Sequence, residues 1–200
     1  KVFQPGFPVE IGKIGYMSDV DLRYAIAGGF QDASMVADYI GNYCDLPGNA
    51  DVLDFGCGTL RVSRYLIQFA KGYTYHACDV NPFSMEWAQN EFGNLANVFV
   101  MKSSPPLGLG EQSIDFAVAW SIFSHYSETA YRAWLMELHR ILRPGGYLFI
   151  TFQSDHLLGQ IRHDAQVQAR YMAENVDLDD VRSNYLDRGF ASYACYPRSG

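Results

Sequence analysis

From residue 51 onward the apolar and polar positions of this chain switch back and forth between two periods. Short apolar runs read as buried strands: "DVLDF" (51–55), "YTYHACD" (73–79), "NVFVM" (97–101), "IDFAVAW" (114–120) and "YLFITF" (147–152). Between them, apolar residues recur three and four apart. "LRVSRYLIQFA" (60–70) is a helix with Val62, Leu66 and Phe69 inward, and "PFSMEWAQNEF" (82–92) a helix with Pro82 in its first turn. "SETAYRAWLMELHRIL" (127–142) is a longer helix that Ser127 caps and "RPGG" stops. Ahead of this alternation, a glycine- and proline-rich stretch to about residue 16 wraps as an arm. "SDVDLRYAIAGGF" (18–30) starts as a helical turn led by Ser18 or Asp19 and ends at Gly28-Gly29. "DASMVADYIGNYC" (32–44) spaces Met35, Val36, Tyr39 and Ile40 at helical intervals. After residue 152, two helical stretches (156–175 and 177–186) lead to a sixth strand over 190–196.

Strands separated by helices of this length imply βαβ units and a mostly parallel sheet. Right-handed crossovers then gather the ends of the first, second and fourth strands along one edge, where open α/β sheets bind ligands.

The chain of 200 residues suits one α/β domain, and a net charge of −7 argues against non-specific nucleic-acid binding. Cys44, Cys57, Cys78 and Cys195 show neither a C-x-x-C pair nor metal-ligand spacing. No secretory leader is visible, so reduced thiols in a cytoplasm are expected, and no apolar run reaches the ~20 residues of a membrane helix. The chain begins at Lys1 without a methionine and reads as a fragment of a longer protein.

The chemistry concentrates in "VLDFGCGTLRVSRYL" (52–66). A dinucleotide fingerprint needs a third glycine at position 61, which is Arg61, and a P-loop needs a G-K-[ST] that is absent. Asp54 at the end of the strand would repel a pyrophosphate by ~1 to 4 kcal/mol, so it suits a ligand with cationic or neutral groups. Asp79 ends the second strand about twenty residues on, where an acid accepts hydrogen bonds from a ribose diol. Together these residues call for a nucleoside with a cationic tail and no phosphate, which describes S-adenosylmethionine.

"VLDFGCGTLRVSRYL", "HACDVNPFSMEWAQ", "IDFAVAWSIFSHYSE" and "LHRILRPGGYLFITF" resemble the successive motifs of class I S-adenosylmethionine-dependent methyltransferases, over residues 51–152. The resemblance implies a three-layer α/β sandwich with a mostly parallel, Rossmann-like sheet and S-adenosyl-L-methionine as cofactor. By the same resemblance, Asp54, Gly56, Cys57 and Gly58 form the turn that faces the methionine part. Asp79 is the ribose acid, with Val80 and Asn81 beside the adenine. Ser103 and Ser104 occupy the loop at the adenine edge, although the family commonly carries an acid where Ser103 stands. Trp120 and Ser121 end the fourth strand near the reactive methyl. Leu60 replaces the usual third glycine, a departure expected to be tolerated because the helix has begun there. N-terminal segments of this fold often cover the cofactor, so Arg23 is a candidate partner for the methionine carboxylate, against the plainer reading of a solvated arginine.

These expectations divide the chain into an N-terminal arm and helices (1–45) and a methyltransferase domain (46–200), with a core at 51–152, a C-terminal cover at 153–189 and the sixth strand. The family's closing seventh strand is expected to be missing, leaving a sheet edge open. His125, in "SIFSHYSE", is either a base near the acceptor or a packing residue at a helix entry. His76 reads as core, the dipole of a helix end explains His139, and His156 and His163 lack partners at metal spacing, so no metal is assigned. Methyl transfer to a small-molecule or sugar-like acceptor is the leading function. A catalytically silent S-adenosylmethionine-binding scaffold is the alternative, and a nicotinamide oxidoreductase is disfavoured by Arg61.

Overall fold

A computed structural model describes residues 22–123, 126–151 and 194–197. Its elements run α1 (Leu22–Tyr43), β1 (Asp51–Phe55), α2 (Ser63–Phe69), β2 (Thr74–Asp79), α3 (Pro82–Phe92), β3 (Ala96–Val100), β4 (Ile114–Ala119), α4 (Glu128–Ile141), β5 (Leu142–Ile150) and β6 (Ala194–Pro197). The strands form one sheet in the order β3-β2-β1-β4-β5-β6. The first five are parallel, and β6 returns antiparallel against β5, pairing Ala194 with Ile150 and Pro197 with Tyr147.

Alternation along the strands divides the apolar side chains between two faces. Val52, Tyr75, Phe116, Val118 and Phe149 pack with Ala33, Val36 and Ile40 of α1 and Leu66 of α2. Ala77 joins Met85, Ala88 and Phe92 of α3. On the other face, Leu53, Phe55, Ala117 and Ala119 pack with Trp134, Leu138 and Ile141 of α4. Every residue of β4 is buried, as befits the centre of a sheet covered on both sides. The three-layer sandwich expected from the sequence is present.

Several local expectations change. A single helix, α1, runs through Gly28-Gly29 instead of stopping there. A Cβ at Gly29 would lie 2.4 Å from the carbonyl oxygen of Arg61, so this glycine serves close approach between helix and loop. Phe69, expected inward, is exposed, as is Met35 on α1, while Val36, Ile40, Val62 and Leu66 are buried. "RPGG" does not precede β5 but bulges from within it. Leu142 already pairs with Ile114, and the ladder resumes at Phe116 and Tyr147. Gly145 has φ of +81°, and a Cβ on Gly146 would meet the carbonyl oxygens of Arg143 and Asp115 at 2.9 Å each. Pro144 and two glycines thus allow a tight out-and-back loop at the strand's start.

At that same end of the sheet, Arg143 bonds Asp115 at 2.5 Å and Asp51 at 3.1 Å. Asp51 also meets His76 at 3.0 Å, so this histidine is half-buried and partnered and not a core residue. The expected lead-in at Ser18 or Asp19, the stretches 156–175 and 177–186, and the question of a seventh strand lie outside the described residues.

Candidate functional site

The opposite, carboxyl ends of β1, β2 and β4 open onto a cavity of about 600 Å³, within the range of small-molecule sites. Asp54, Gly56, Cys57 and Gly58 line it from the first turn, and Asp79, Val80 and Asn81 from the second. Ser103 lines it after β3, and Trp120 and Ser121 after β4. Ser104 is exposed and does not line it. Arg23 lies on α1 with a side chain outside the described set, and His125 lies outside the described residues altogether.

The first turn is held from beneath. The amides of Gly56 and Cys57 both donate to the carbonyl of Cys78, at 2.8 and 3.0 Å, which ties β1's end to β2's. Gly56, Gly58 and Leu60 all have positive φ, at +76°, +54° and +57°. The two glycines are needed for different reasons. A Cβ on Gly56 would lie 2.4 Å from Cδ1 of Ile122, so a protein side chain fills its bare face, whereas the face of Gly58 is open. Leu60 is not yet helical, because α2 begins only at Ser63. It takes the left-handed conformation of the glycine it replaces, and its side chain is fully buried.

Asp79 is oriented by two backbone donors. Gly58 N–H reaches Oδ2 and Asn81 N–H reaches Oδ1, each at 2.9 Å. A carboxylate oxygen has room for a further bond, so both can still accept from a ligand. Asn81 in turn caps α3 through Phe83 and Ser84 amides, at 3.0 and 3.3 Å.

Asp54 is buried and accepts the Ser63 hydroxyl at 2.5 Å. Burial pushes its pKa up to about 6, with the nearby Asp79 charge adding to the rise and Ser63 and Arg61 opposing it. A buried acid that is costly to ionise gains from any cation brought beside it. Burial also drives the Cys57 thiol upward, so it is protonated and inert as a nucleophile.

Residues that the sequence did not single out complete the cavity. Arg61 lines it and bonds Asp32 of α1, and it is the one arginine or lysine among the described lining residues. Sequence pattern had used it only to reject a dinucleotide site, although it adjoins the turn. Ile122 and Tyr126 line the β4 side. Burial pushes the Tyr126 phenol up to about 12, so it stays neutral. Ser121 has φ of +60°, and its amide donates to the Thr151 hydroxyl at 2.6 Å. Such strain in a non-glycine residue is common at functional sites. Trp120 stacks on Phe149, with ring centroids 5.9 Å apart. Among the described residues no cluster of ligands suits a metal ion, and no helix is long and apolar enough to cross a membrane.

A mostly parallel sheet with two acids at adjacent strand ends and a glycine turn between them defines a Rossmann-like domain. Residues 52–146 match the methyltransferase-domain family. That match covers a little under half of the chain and agrees with the methyltransferase family that the sequence motifs resemble. Among curated proteins the chain is similar to malonyl-[acyl-carrier protein] O-methyltransferase of Hahella chejuensis (strain KCTC 2396), at 29% identity over 101 residues. That match covers 50% of this chain and 36% of the relative, so it spans little more than a third of the relative's length. Among solved structures, a SAM-dependent methyltransferase from Aquifex aeolicus aligns with a TM-score of 0.54 and 23% identity, over 70% of each chain. A protein from Pyrococcus horikoshii OT3 aligns with a TM-score of 0.59 and 16% identity, over 75% of this chain and 68% of its own. At these identities the two structures speak for the fold alone.

Proposed function

We propose that this protein transfers the methyl group of S-adenosylmethionine to a small-molecule or sugar-like acceptor. The observation that carries the reading is the convergence of Asp54, Asp79 and Arg61 on one cavity. An acid that burial has pushed up to about 6 answers a ligand ammonium and sulfonium. Asp79, held by Gly58 and Asn81, answers a ribose diol. Arg61, steadied by Asp32, answers the methionine carboxylate and takes the role first considered for Arg23.

S-adenosylmethionine, when bound, supplies a methyl group on a sulfonium that is already an activated leaving group. The chain's own task is to align an acceptor with that methyl and keep water away. Val80, Asn81 and Ser103 flank the adenine in this reading. Trp120, Ser121, Ile122 and Tyr126 face the acceptor. His125 is the base for a hydroxyl acceptor, consistent with an O-methyltransferase among the relatives. Selection of the acceptor falls to segments 1–21 and 153–189, since no described residue of α1 lines the cavity. The net charge of −7 disfavours nucleic acid as that acceptor, and the buried thiols of Cys57 and Cys78 fit a cytoplasmic setting.

Calorimetric titration with S-adenosylhomocysteine, S-adenosylmethionine, decarboxylated S-adenosylmethionine and NAD tests the assignment. The adenosyl ligands should bind wild type and fail with Asp79→Ala. Arg61→Gln should weaken S-adenosylmethionine about tenfold or more and leave its decarboxylated analogue nearly unaffected. Binding of NAD alone, or equal losses for both analogues, would overturn the assignment. Cofactor binding without turnover on any acceptor in a labelled-methyl screen would favour the silent scaffold.

A further inference from the structure

Arg64 is the largest charged side chain buried among the described residues, with 1% of its surface exposed, and it does not line the cavity. Its Nε donates to the carbonyl oxygen of Leu60 at 3.0 Å and its Nη2 to that of Thr59. The guanidinium carbon lies 5.5 Å from the ring centroids of both Trp87 and Phe92, two aromatic residues of α3 that pack edge-on at 5.8 Å. One planar cation thus joins the turn after β1 to the helix after β2. Gly58 lies in that turn and Asp79 ends the strand that leads into that helix, and their hydrogen bond closes the cofactor cradle.

A buried cation is expensive, and a helix facing the core ordinarily presents an apolar residue here. The structural demand that Arg64 meets is next to it. Leu60 sits at φ +57°, a conformation that disfavours a side chain and that glycine adopts freely. Arg64 grips the carbonyls of Thr59 and of Leu60 itself, and the Leu60 side chain is anchored among Cys57, Ala77, Met85 and Phe92. Burial pushes the Arg64 pKa down only to about 10, so the group remains cationic at neutral pH and its bonds stay charge-assisted.

The geometry points to Arg64 as a positioning residue of the cofactor site: it holds the left-handed turn at Leu60 and thereby aims the Gly58 amide at Asp79. The inference rests on the cofactor reading above for its binding consequence, but the loop geometry can be tested separately. Arg64→Met keeps volume and aromatic contact and loses both side-chain bonds to the carbonyls, while the backbone amide of residue 64 keeps its own bond to Leu60. Arg64→Lys keeps the charge and cannot bridge two carbonyls with one planar group. Calorimetry with S-adenosylhomocysteine would be paired with urea unfolding and amide NMR of Gly58 and Gly145. Arg64→Met should remain cooperatively folded and bind about tenfold or more weakly. Its Gly58 amide should move upfield as the bond to Asp79 loosens, while Gly145 at the far end of the sheet stays in place. In a Leu60→Gly background, where the turn no longer needs holding, the same substitution should cost less affinity.

Wild-type binding with unchanged affinity and an unmoved Gly58 amide in Arg64→Met would overturn the inference. If Arg64→Met does not fold, Arg64→Lys decides by the same two readouts. If wild type binds no S-adenosylhomocysteine, the cofactor reading falls, and the Gly58 amide still tests whether Arg64 holds the turn.

Discussion

Asp54→Asn separates stability from function at one atom. The wild-type carboxyl titrates near 3.8 when exposed and at about 6 in the fold, because burial penalises its charge. Between those values the native state keeps a proton that the unfolded chain has released, so stability falls as pH rises through the window. The full cost, about 3 kcal/mol for a shift of this size, applies above about pH 6 and vanishes below about pH 4. Asparagine carries no charge and its oxygen can still accept the Ser63 hydroxyl. The variant should therefore unfold roughly 6 to 12 °C higher at pH 7.5 and match wild type at pH 3.5. It should also bind S-adenosylmethionine more weakly, since the ligand's cations lose their ionic partner. In wild type, binding should take an ionised Asp54, so affinity should decline up to about tenfold per pH unit below about 6. Thermal unfolding across pH, with and without ligand, measures both effects. An Asp54→Asn protein that is less stable at pH 7.5, by an amount independent of pH, would show that the carboxylate is a structural hydrogen-bond acceptor and refute the argument.

Three further substitutions probe the frame of the fold. Gly29→Ala gains roughly 1 kcal/mol of helix propensity but forces a methyl to within 2.4 Å of the Arg61 carbonyl. It should destabilise by about 1 to 3 kcal/mol in urea unfolding and weaken cofactor binding by displacing Arg61, while Gly41→Ala, with open space at its Cβ, should be neutral or stabilising. Arg143→Leu leaves Asp51 and Asp115 without their guanidinium, and should lower stability by about 1 to 2 kcal/mol. Because that cluster lies at the far end of the strands, calorimetry should find cofactor affinity unchanged.

The strands, the helices after residue 51 and their parallel order were legible because period and spacing are local properties of a chain. The glycine turn and the two acids were legible for a related reason. Parallel crossovers return every strand in the same direction, so residues that end successive strands converge on one edge. Where two segments distant in sequence approach each other, local pattern misleads. Gly28-Gly29 resembles a helix stop, but the pair lies inside α1, where the second glycine admits the Arg61 backbone. "RPGG" resembles a boundary, yet Leu142 is already in register with Ile114. Leu60 occupies a glycine's conformation because Arg64 and a buried pocket hold it there. The role of Arg61 depends on Asp32, twenty-nine positions away. By itself the sequence determined the sheet, its open strand-end edge and the charges that edge presents, since those follow from short-range periodicity and the identity of strand-end residues. Only the tertiary structure decided which cation faces the cavity, which glycine stays open to it and which buried arginine braces it, because each of those is a contact between segments that the chain brings together only on folding.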